Sequence, residues 1–310
     1  MIEYFTQPPY RMSAKQNLLF INQYELTSWY LWHLRMNEIT RDLADIVEAT
    51  NRHPRTRRNF RMQYRLAVHT LIPWLKQMKA LPTNPAVCEI GCGEGGVIAA
   101  FAEQGTSLAL GTDIVHALLE QISAPLAKEL NLPVVFTGHD VIGDAIPAEW
   151  DQRFDVVVLR DVIEHLDNQE AAMKSIQRIM KPGATLLVTF PPYTSAFGGH
   201  QQLLGTLAGN IPFVHLLPKR IFETVIRKGD VVNQDEVRRL HKIRSSVAGV
   251  KTAATNAQLT LSAERYFGLR PVFRWKYNKP IPTLEVTALK RLPLVELLTM
   301  EAALVFKKPL

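Results

Sequence analysis

The segment Val87–Val97 constrains the fold of this chain more than any other. A short apolar run reaches an acidic residue, Glu89, and glycines then follow at positions 91, 93, 95 and 96. Glycine adopts backbone conformations that other residues avoid, and it leaves room for a ligand to approach the main chain. The segment therefore predicts a buried strand followed by a turn that contacts a nucleotide-like ligand.

Two kinds of cofactor fit such a loop. Gly91, Gly93 and Gly96 satisfy the G-x-G-x-x-G pattern of dinucleotide-binding proteins, which would suit NAD. Glu89 argues against NAD, because a carboxylate two residues before the first glycine would repel a pyrophosphate at the helix N-terminus. A cofactor with a cationic amine would be stabilised by it. The order Glu89-x-Gly91-x-Gly93-x-Gly95 resembles the first motif of class I S-adenosylmethionine (SAM) dependent methyltransferases.

Later segments extend the resemblance through residues 86–190. A strand predicted over residues 107–112 ends on Asp113, and one over 133–137 is followed by Asp140 and Val141. In the family the first acid takes both ribose hydroxyls, and the second meets the adenine amino group. A buried strand over 154–159 and the helix-to-strand passage Met-Lys-Pro-Gly-Ala also match.

The resemblance implies a doubly wound, seven-stranded, mostly parallel sheet of the Rossmann-like methyltransferase type. It also implies that the protein is an enzyme and that its cofactor is SAM. The cofactor-binding residues expected on this basis are Glu89, Gly91, Gly93, Gly95, Asp113, Ile114, Asp140, Val141 and Arg160.

Outside the matched region we predict an N-terminal helical extension over residues 1–85 and a methyltransferase domain over 86–310. Apolar residues from Ile39 to Leu75 recur at helical spacing, and Pro73 is expected to kink or end the second helix. Residues 191–260 are predicted to form a substrate-side insert. Residues 270–277 and 302–307 are expected to form the antiparallel closing strands, after a helix that ends at Phe267-Gly268.

Two histidines are candidates for catalysis. Transfer of a methyl group requires alignment of the acceptor and, for an oxygen acceptor, removal of its proton. His165 and His200 each follow a predicted central strand and could act as the general base. The alternative for each is a histidine that only caps or packs.

The segment Asp161-x-x-Glu164-His165 resembles a Glu-x-x-Glu-His segment in two metal-assisted branches. These are the ubiquinone-pathway O-methyltransferases and the small-RNA terminal 2′-O-methyltransferases, which use it to hold a divalent ion such as Mg²⁺. His200 would then supply the further histidine of the RNA branch. This chain departs from the pattern at Asp161, and the Glu-His pair also occurs in relatives without a metal.

Basic residues outnumber acidic ones, 36 to 29, and give a formal net charge of +7. Arginines concentrate between Arg52 and Arg65, and a smaller basic group lies between Arg238 and Arg244. Such clusters are either solvated surfaces or contacts for an anionic partner such as RNA, a phosphorylated substrate or a lipid headgroup. Aromatic residues are sparse among them, which disfavours a surface for stacking single-stranded bases.

The chain start lacks the basic and apolar regions of a signal peptide, and no apolar run approaches the ~18 residues of a membrane span. We therefore expect a cytoplasmic protein. Its two cysteines, Cys88 and Cys92, are expected to be small buried residues. The leading hypothesis is a SAM-dependent methyltransferase acting on an oxygen of a small-molecule, glycan or lipid-like acceptor. The alternatives are a metal-assisted RNA 2′-O-methyltransferase and a non-catalytic SAM-binding or NAD-dependent Rossmann protein.

Overall fold

The computed structural model describes residues 43–310. The strands in this range are β1 Ala86–Ile90, β2 Leu108–Asp113, β3 Val134–Gly138, β4 Phe154–Arg160, β5 Met180–Phe190, β6 Thr260–Leu269, β7 Leu284–Glu285 and β8 Glu301–Lys307. They form one sheet in the order β3-β2-β1-β4-β5-β8-β6-β7. The first five strands pair in parallel, and the last three pair antiparallel. The predicted mostly parallel, doubly wound sheet is confirmed, with eight described strands instead of seven because two-residue β7 extends the edge.

The described helices are α1 Leu43–Glu48, α2 Pro54–Leu66, α3 Ile72–Gln77, α4 Gly96–Glu103, α5 His116–Leu118, α6 Ala124–Glu129, α7 Gln169–Ile179, α8 Lys219–Arg227, α9 Val231–Ile243, α10 Val247–Asn256 and α11 Phe273–Lys276. They cover both faces of the sheet. Val87 of β1 packs into the core that contains α2, α3 and α4. Its neighbours Ala86 and Cys88 pack into the opposite core with α7 and α10. This alternation is what a strand buried on both faces requires.

The N-terminal helices are part of this core. Phe60 and Tyr64 of α2 are buried, and a Cβ atom built at Gly96 would lie 2.6 Å from the Phe60 carbonyl oxygen. The absence of a side chain at Gly96 therefore lets α2 pack directly on the start of α4. The division of the chain at residue 85 remains a prediction, and the expected helical residue Ile39 lies outside the described range.

Pro73 does not end its helix. Residues Ala67–Leu71 form a π-helical turn directly before α3, and Pro73 lies in the first turn of α3. Proline is tolerated at this position, because the preceding π-helical turn has already altered the pattern of backbone hydrogen bonds in the helix.

Two C-terminal predictions were wrong. The residues expected to end a helix at Phe267-Gly268 lie in β6, and the preceding helix is α10. The segment predicted as a strand over 270–277 contains α11, whose Trp275 ring stacks on His69 at a centroid distance of 5.0 Å. Packing of these aromatic residues on the N-terminal helices overrides their strand-like sequence pattern. The final strand, β8, was predicted correctly.

The two cysteines are free and buried, as predicted. Among the described helices, none combines the length and the apolar composition needed to cross a bilayer.

Candidate active site

The glycine loop begins where β1 ends. Gly91 N and Cys92 N donate to the Thr112 carbonyl oxygen at 2.7 and 2.9 Å, which ties the loop to β2. Gly91 has a φ of 71°, and a Cβ there would lie 2.3 Å from Cγ2 of Val162. Gly93 has a φ of 52°, but a Cβ there would meet no atom within 4 Å. Gly91 is therefore required by packing, whereas Gly93 borders open space that a ligand can enter.

Glu89 lies beneath this loop with its side chain buried. Its Oε2 atom accepts a hydrogen bond from Ile98 N at 2.7 Å, in the first turn of α4. Burial raises the pKa of Glu89 to about 8, and the nearby carboxylate of Asp113 acts in the same direction. The structure thus places this acid at the helix start, next to Asp113.

The acids that end β2 and follow β3 lie on the same edge of the sheet as the glycine loop. Asp113 accepts from Gly93 N at 3.0 Å and from Val115 N at 2.9 Å. It is paired in register with Gly138, two residues before Asp140. Parallel strands align their carboxyl ends, so the sequence-predicted residues of three strands meet here.

Each of the two acids is followed by a hydrophobic residue, and the two hydrophobic residues differ in exposure. Ile114, next to Asp113, is 68% exposed, whereas Val141, next to Asp140, is buried. Asp140 also closes its own turn, because its Oδ1 accepts from Ile142 N at 2.9 Å. An exposed isoleucine beside an acid at a strand end offers a flat ligand both packing and hydrogen bonding.

A buried charge network lies at the end of β4. The guanidinium of Arg160 donates to Asp161 and, at 3.1 Å, to Oγ1 of Thr189. Both carboxylate oxygens of Asp161 accept from Nη2 of Arg270, at 2.7 and 2.6 Å, and Arg270 Nε donates to Glu301 at 2.8 Å. The Arg160 contacts with Asp161 and Thr189 are both made by the Nη1 atom of its buried side chain, and the contact of Arg160 with the cofactor remains a prediction. The sequence analysis missed Arg270 and Glu301, which only their burial distinguishes from surface charges.

Three potential metal ligands converge beside this network. Ligand atoms of Glu164, His165 and His200 all lie within 4.8 Å of one another. Glu164 is buried, and neither of its carboxylate oxygens has a hydrogen-bond partner among residues 43–310. Burial raises the pKa of Glu164 well above its usual range, and Asp161 adds to this. An unpaired buried carboxylate of this kind is stabilised by a cation or by protonation.

The two histidines of this cluster are neighbours, with ring centroids 5.0 Å apart. His165 Nδ1 lies 2.8 Å from Glu236 of α9, which leaves Nε2 on the side of Glu164, 3.9 Å from its Oε1. Burial lowers the pKa of His200 to about 4, and His165 acts in the same direction. A neutral imidazole has a free nitrogen lone pair, as a metal ligand or a general base requires. Glu236 was missed by the sequence analysis, since nothing distinguishes it from the other charges of its helix.

Asp161, the first residue of the Asp-x-x-Glu-His segment, is not part of the cluster. Its two oxygens are already bonded to Arg270, so they are not available to an ion beside Glu164. His200 completes the cluster instead, from the loop after β5.

A cavity of about 380 Å³ opens beside His200. The rings of Phe197, Phe273 and Tyr277 line it, together with the cation of Lys276. Its position next to the histidine pair and its aromatic walls suit a small organic ligand.

The arginines of residues 52–65 are largely paired with acids. Arg52 lies 2.7 Å from Glu129, and Arg61 lies 3.0 Å from Glu48. Arg65 contacts Asp45 at 2.5 Å. These ion pairs favour a solvated, self-neutralised surface over a nucleic-acid contact.

Comparison with known proteins identifies the family. A family model described as a methyltransferase domain matches residues 58–216, slightly more than half of the chain. A mitochondrial ubiquinone biosynthesis O-methyltransferase from Dictyostelium discoideum is 30% identical over 128 residues, which cover 38% of this chain and 40% of that protein. A ubiquinone biosynthesis O-methyltransferase from Coxiella burnetii is 25% identical over 133 residues, covering 43% and 53%. The chain thus spans about half the length of these relatives, or less.

Among solved structures, an S-adenosylmethionine dependent methyltransferase from Mesorhizobium loti aligns with a TM-score of 0.48 at 14% identity. The alignment covers 76% of this chain and 96% of that one. The extent of the family match, together with the glycine loop after β1, shows that the chain belongs to the methyltransferase domain family.

Proposed function

We propose that this protein is a SAM-dependent methyltransferase that acts on an oxygen atom of a small-molecule or lipid-like acceptor. The observation that carries the proposal is the edge formed by the ends of β1, β2 and β3. There Gly93 leaves open space and donates its backbone N–H to Asp113, while Glu89 lies in β1 and Asp140 follows β3 on the same edge of the sheet. Bound SAM supplies a methyl group from its sulfonium, so that an oxygen–carbon bond forms as the sulfur–carbon bond breaks.

In this proposal the strand ends bind the cofactor. Asp113 accepts from the ribose hydroxyls, because a carboxylate offers two acceptor oxygens. Asp140 and Val141 contact the adenine, with Ile114 packing on its ring. Glu89 stabilises the charge of the methionine amine.

The cavity beside His200 is proposed to hold the acceptor. Phe197, Phe273 and Tyr277 orient its apolar part and exclude water. When no ion occupies the cluster, the imidazoles of His165 and His200 are the candidate bases for an acceptor hydroxyl, and either one accepts its proton. Lys276 gives the cavity a positive charge that suits an acceptor with an anionic group.

The cluster of Glu164, His165 and His200 fits a divalent ion, since neither oxygen of the buried Glu164 carboxylate has a hydrogen-bond partner among residues 43–310. A bound ion would lower the pKa of the acceptor hydroxyl. Two imidazoles and one carboxylate are a donor set that favours a first-row transition ion such as Mn²⁺, Fe²⁺ or Zn²⁺ over Mg²⁺. Glu236 holds the His165 ring with Nε2 on the side of Glu164.

Of the alternatives from the sequence, RNA as acceptor and NAD as cofactor gain no support. Arg52, Arg61 and Arg65 form salt bridges, which reduces the positive charge that the arginines of residues 52–65 offer to RNA phosphates. Membership of the methyltransferase family and the burial of Glu89 beneath the loop disfavour NAD.

Calorimetric titration of the purified chain tests the proposal. The ligands are SAM, S-adenosylhomocysteine and NAD, each without added metal, after chelation, and with Mg²⁺, Mn²⁺ or Zn²⁺. We expect micromolar binding of the two adenosyl compounds and no binding of NAD. NAD binding, or no binding of any of the three, would overturn the cofactor assignment.

The metal requires its own test. Mn²⁺ or Zn²⁺ binding to wild type is compared with binding to Glu164→Gln and to the control Glu170→Gln, which alters an exposed acid on α7. We expect only Glu164→Gln to lose the ion. Equal binding by all three chains would exclude the cluster as a metal site.

A further inference from the structure

The insert after β5 exposes apolar side chains that the proposed chemistry does not use. Leu207 is 91% exposed, and Ile211 and Ile221 are more than half exposed. We call this surface the apolar face and define it by Leu207, Ile211, Phe213, Leu216, Leu217 and Ile221. Monomeric soluble proteins rarely expose large contiguous apolar patches, and such patches mark contacts with another surface.

The exposure does not result from a segment without a core. The insert has its own buried cluster, formed by Leu204, Val214, Phe222, Ile226 and Val237. The apolar residues of this segment are thus of two kinds: those packed in the buried cluster and those exposed on the apolar face. Because the buried cluster already stabilises the insert, the residues of the apolar face are not needed for its core.

The backbone holds this surface in place. Residues 216–221 are exposed without interruption, in the order Leu-Leu-Pro-Lys-Arg-Ile. Phe213 has a φ of 64°, which is rare for a bulky residue, and its N–H donates to the Ala196 carbonyl oxygen at 2.8 Å. That hydrogen bond joins the exposed turn to the loop that lines the cavity beside His200.

The charge of the insert has one sign over a long stretch. No aspartate or glutamate occurs between Glu170 and Glu223. Lys219 and Arg220 lie within the apolar face, and neither forms a salt bridge to a carboxylate of the described residues. Glu223, the next acid, is already paired with Arg227 and Arg238. The face therefore combines apolar side chains with positive charge that its own surroundings leave uncompensated.

We propose that the apolar face docks the protein on the surface of an anionic lipid bilayer. Leucine, isoleucine and phenylalanine side chains would enter the boundary between headgroups and acyl chains, and Lys219 and Arg220 would contact lipid phosphates. A second copy of this chain is a poorer occupant, because a two-fold interface would bring the same cations together. Docking in this way is independent of methyl transfer. It also places the cavity beside His200, which Asn210 helps to line, next to the lipid.

Vesicle flotation with the full chain tests this proposal. The vesicles contain phosphatidylcholine alone or phosphatidylcholine mixed with phosphatidylglycerol. We expect binding to the anionic vesicles, weakened by salt, and much weaker binding to the neutral ones. The double variant Leu216→Ser/Leu217→Ser should partition onto the vesicles about tenfold less, or less still, because two leucine side chains are no longer transferred from water into the bilayer. Lys219→Gln/Arg220→Gln should lose at least about fivefold on anionic vesicles only.

The matched control is Leu292→Ser/Leu294→Ser, which alters exposed leucines outside the face. We expect it to float like wild type. Every altered residue is exposed, and an unchanged thermal unfolding midpoint will show that each variant is folded. Two results would overturn the proposal. One is equal flotation of all variants. The other is a wild-type chain that forms a dimer and binds no vesicles, when the dimer is lost only in the Leu216→Ser/Leu217→Ser variant.

Discussion

The Nδ1 atom of His165 lies 2.8 Å from Oε1 of Glu236, a residue 71 positions later in the chain. This contact joins the segment after β4 to α9 of the insert. Arg239 strengthens it, since its guanidinium donates to the carboxylate of Glu236 and, at 2.6 Å, to the His165 carbonyl oxygen. The orientation of the candidate catalytic histidine is therefore set by the insert and not by the sheet.

Glu236→Gln should reduce affinity for Mn²⁺ or Zn²⁺ by about 10- to 100-fold, because the partner that orients a metal-bound histidine also raises its basicity. Direct titration with the ion measures this. SAM affinity should stay unchanged in the same variant, since the side chain of Glu236 bonds to His165 and Arg239 and to no residue of the glycine loop. Asp235→Asn, on the exposed side of the same helix, is the control and should bind the ion like wild type.

Asp113→Ala should weaken SAM binding by about 1.5–3 kcal/mol for each hydrogen bond lost to the charged carboxylate. Calorimetry measures the affinity, and thermal unfolding shows whether the fold survives. Glu149→Ala, which removes an exposed acid elsewhere, is the control. Wild-type SAM affinity in the Asp113→Ala variant would contradict the cofactor assignment.

Alanine at two glycines of the loop should have different effects. Gly91→Ala puts a Cβ 2.3 Å from Cγ2 of Val162 and strains a left-handed backbone, so we expect a loss of about 2 kcal/mol or more in unfolding free energy. Gly93→Ala has open space around the new methyl group and should cost only about 1 kcal/mol. Its main effect should be on SAM affinity. Chemical denaturation and calorimetry on both variants separate the two roles, and a reversed pattern would refute them.

Arg270→Ala should destabilise the protein by about 3–5 kcal/mol near neutral pH, because it leaves the buried Glu301 and the partly buried Asp161 with fewer partners. Burial alone would raise the pKa of Asp161, but Arg160 and Arg270 outweigh it and lower the pKa to about 2. The folded-state pKa is thus below the unfolded one, and the stabilisation is complete above about pH 4. It should decline as the pH falls towards 2.

Denaturation of wild type and Arg270→Ala at about pH 7 and about pH 3 measures this effect. The difference in unfolding free energy between the two chains should shrink at the lower pH. Arg291→Ala, at an exposed position, should behave like wild type at both. A difference that does not depend on pH would mean that Arg270 stabilises by packing alone.

The central sheet could be predicted because its signals are local. Apolar runs predicted β1 and β4, and the predicted strands placed Asp113 at the end of β2 and Asp140 just after β3. Signals near the chain end were ambiguous. The residues of α11 alternate like a strand, and only their packing against the helix that carries His69 decides that they are helical.

Residue type and spacing thus determined the parallel strands β1 to β5, the glycine loop and the family, since each depends on backbone preferences of neighbouring residues. Tertiary structure decided which distant side chains meet. The pairing of Asp161 with Arg270 and of His165 with Glu236 depends on loops that return to the end of β4, and no local pattern encodes that return. The same holds for the apolar face, because the sequence does not distinguish Val214, which is packed inside, from Leu216, which is left in water.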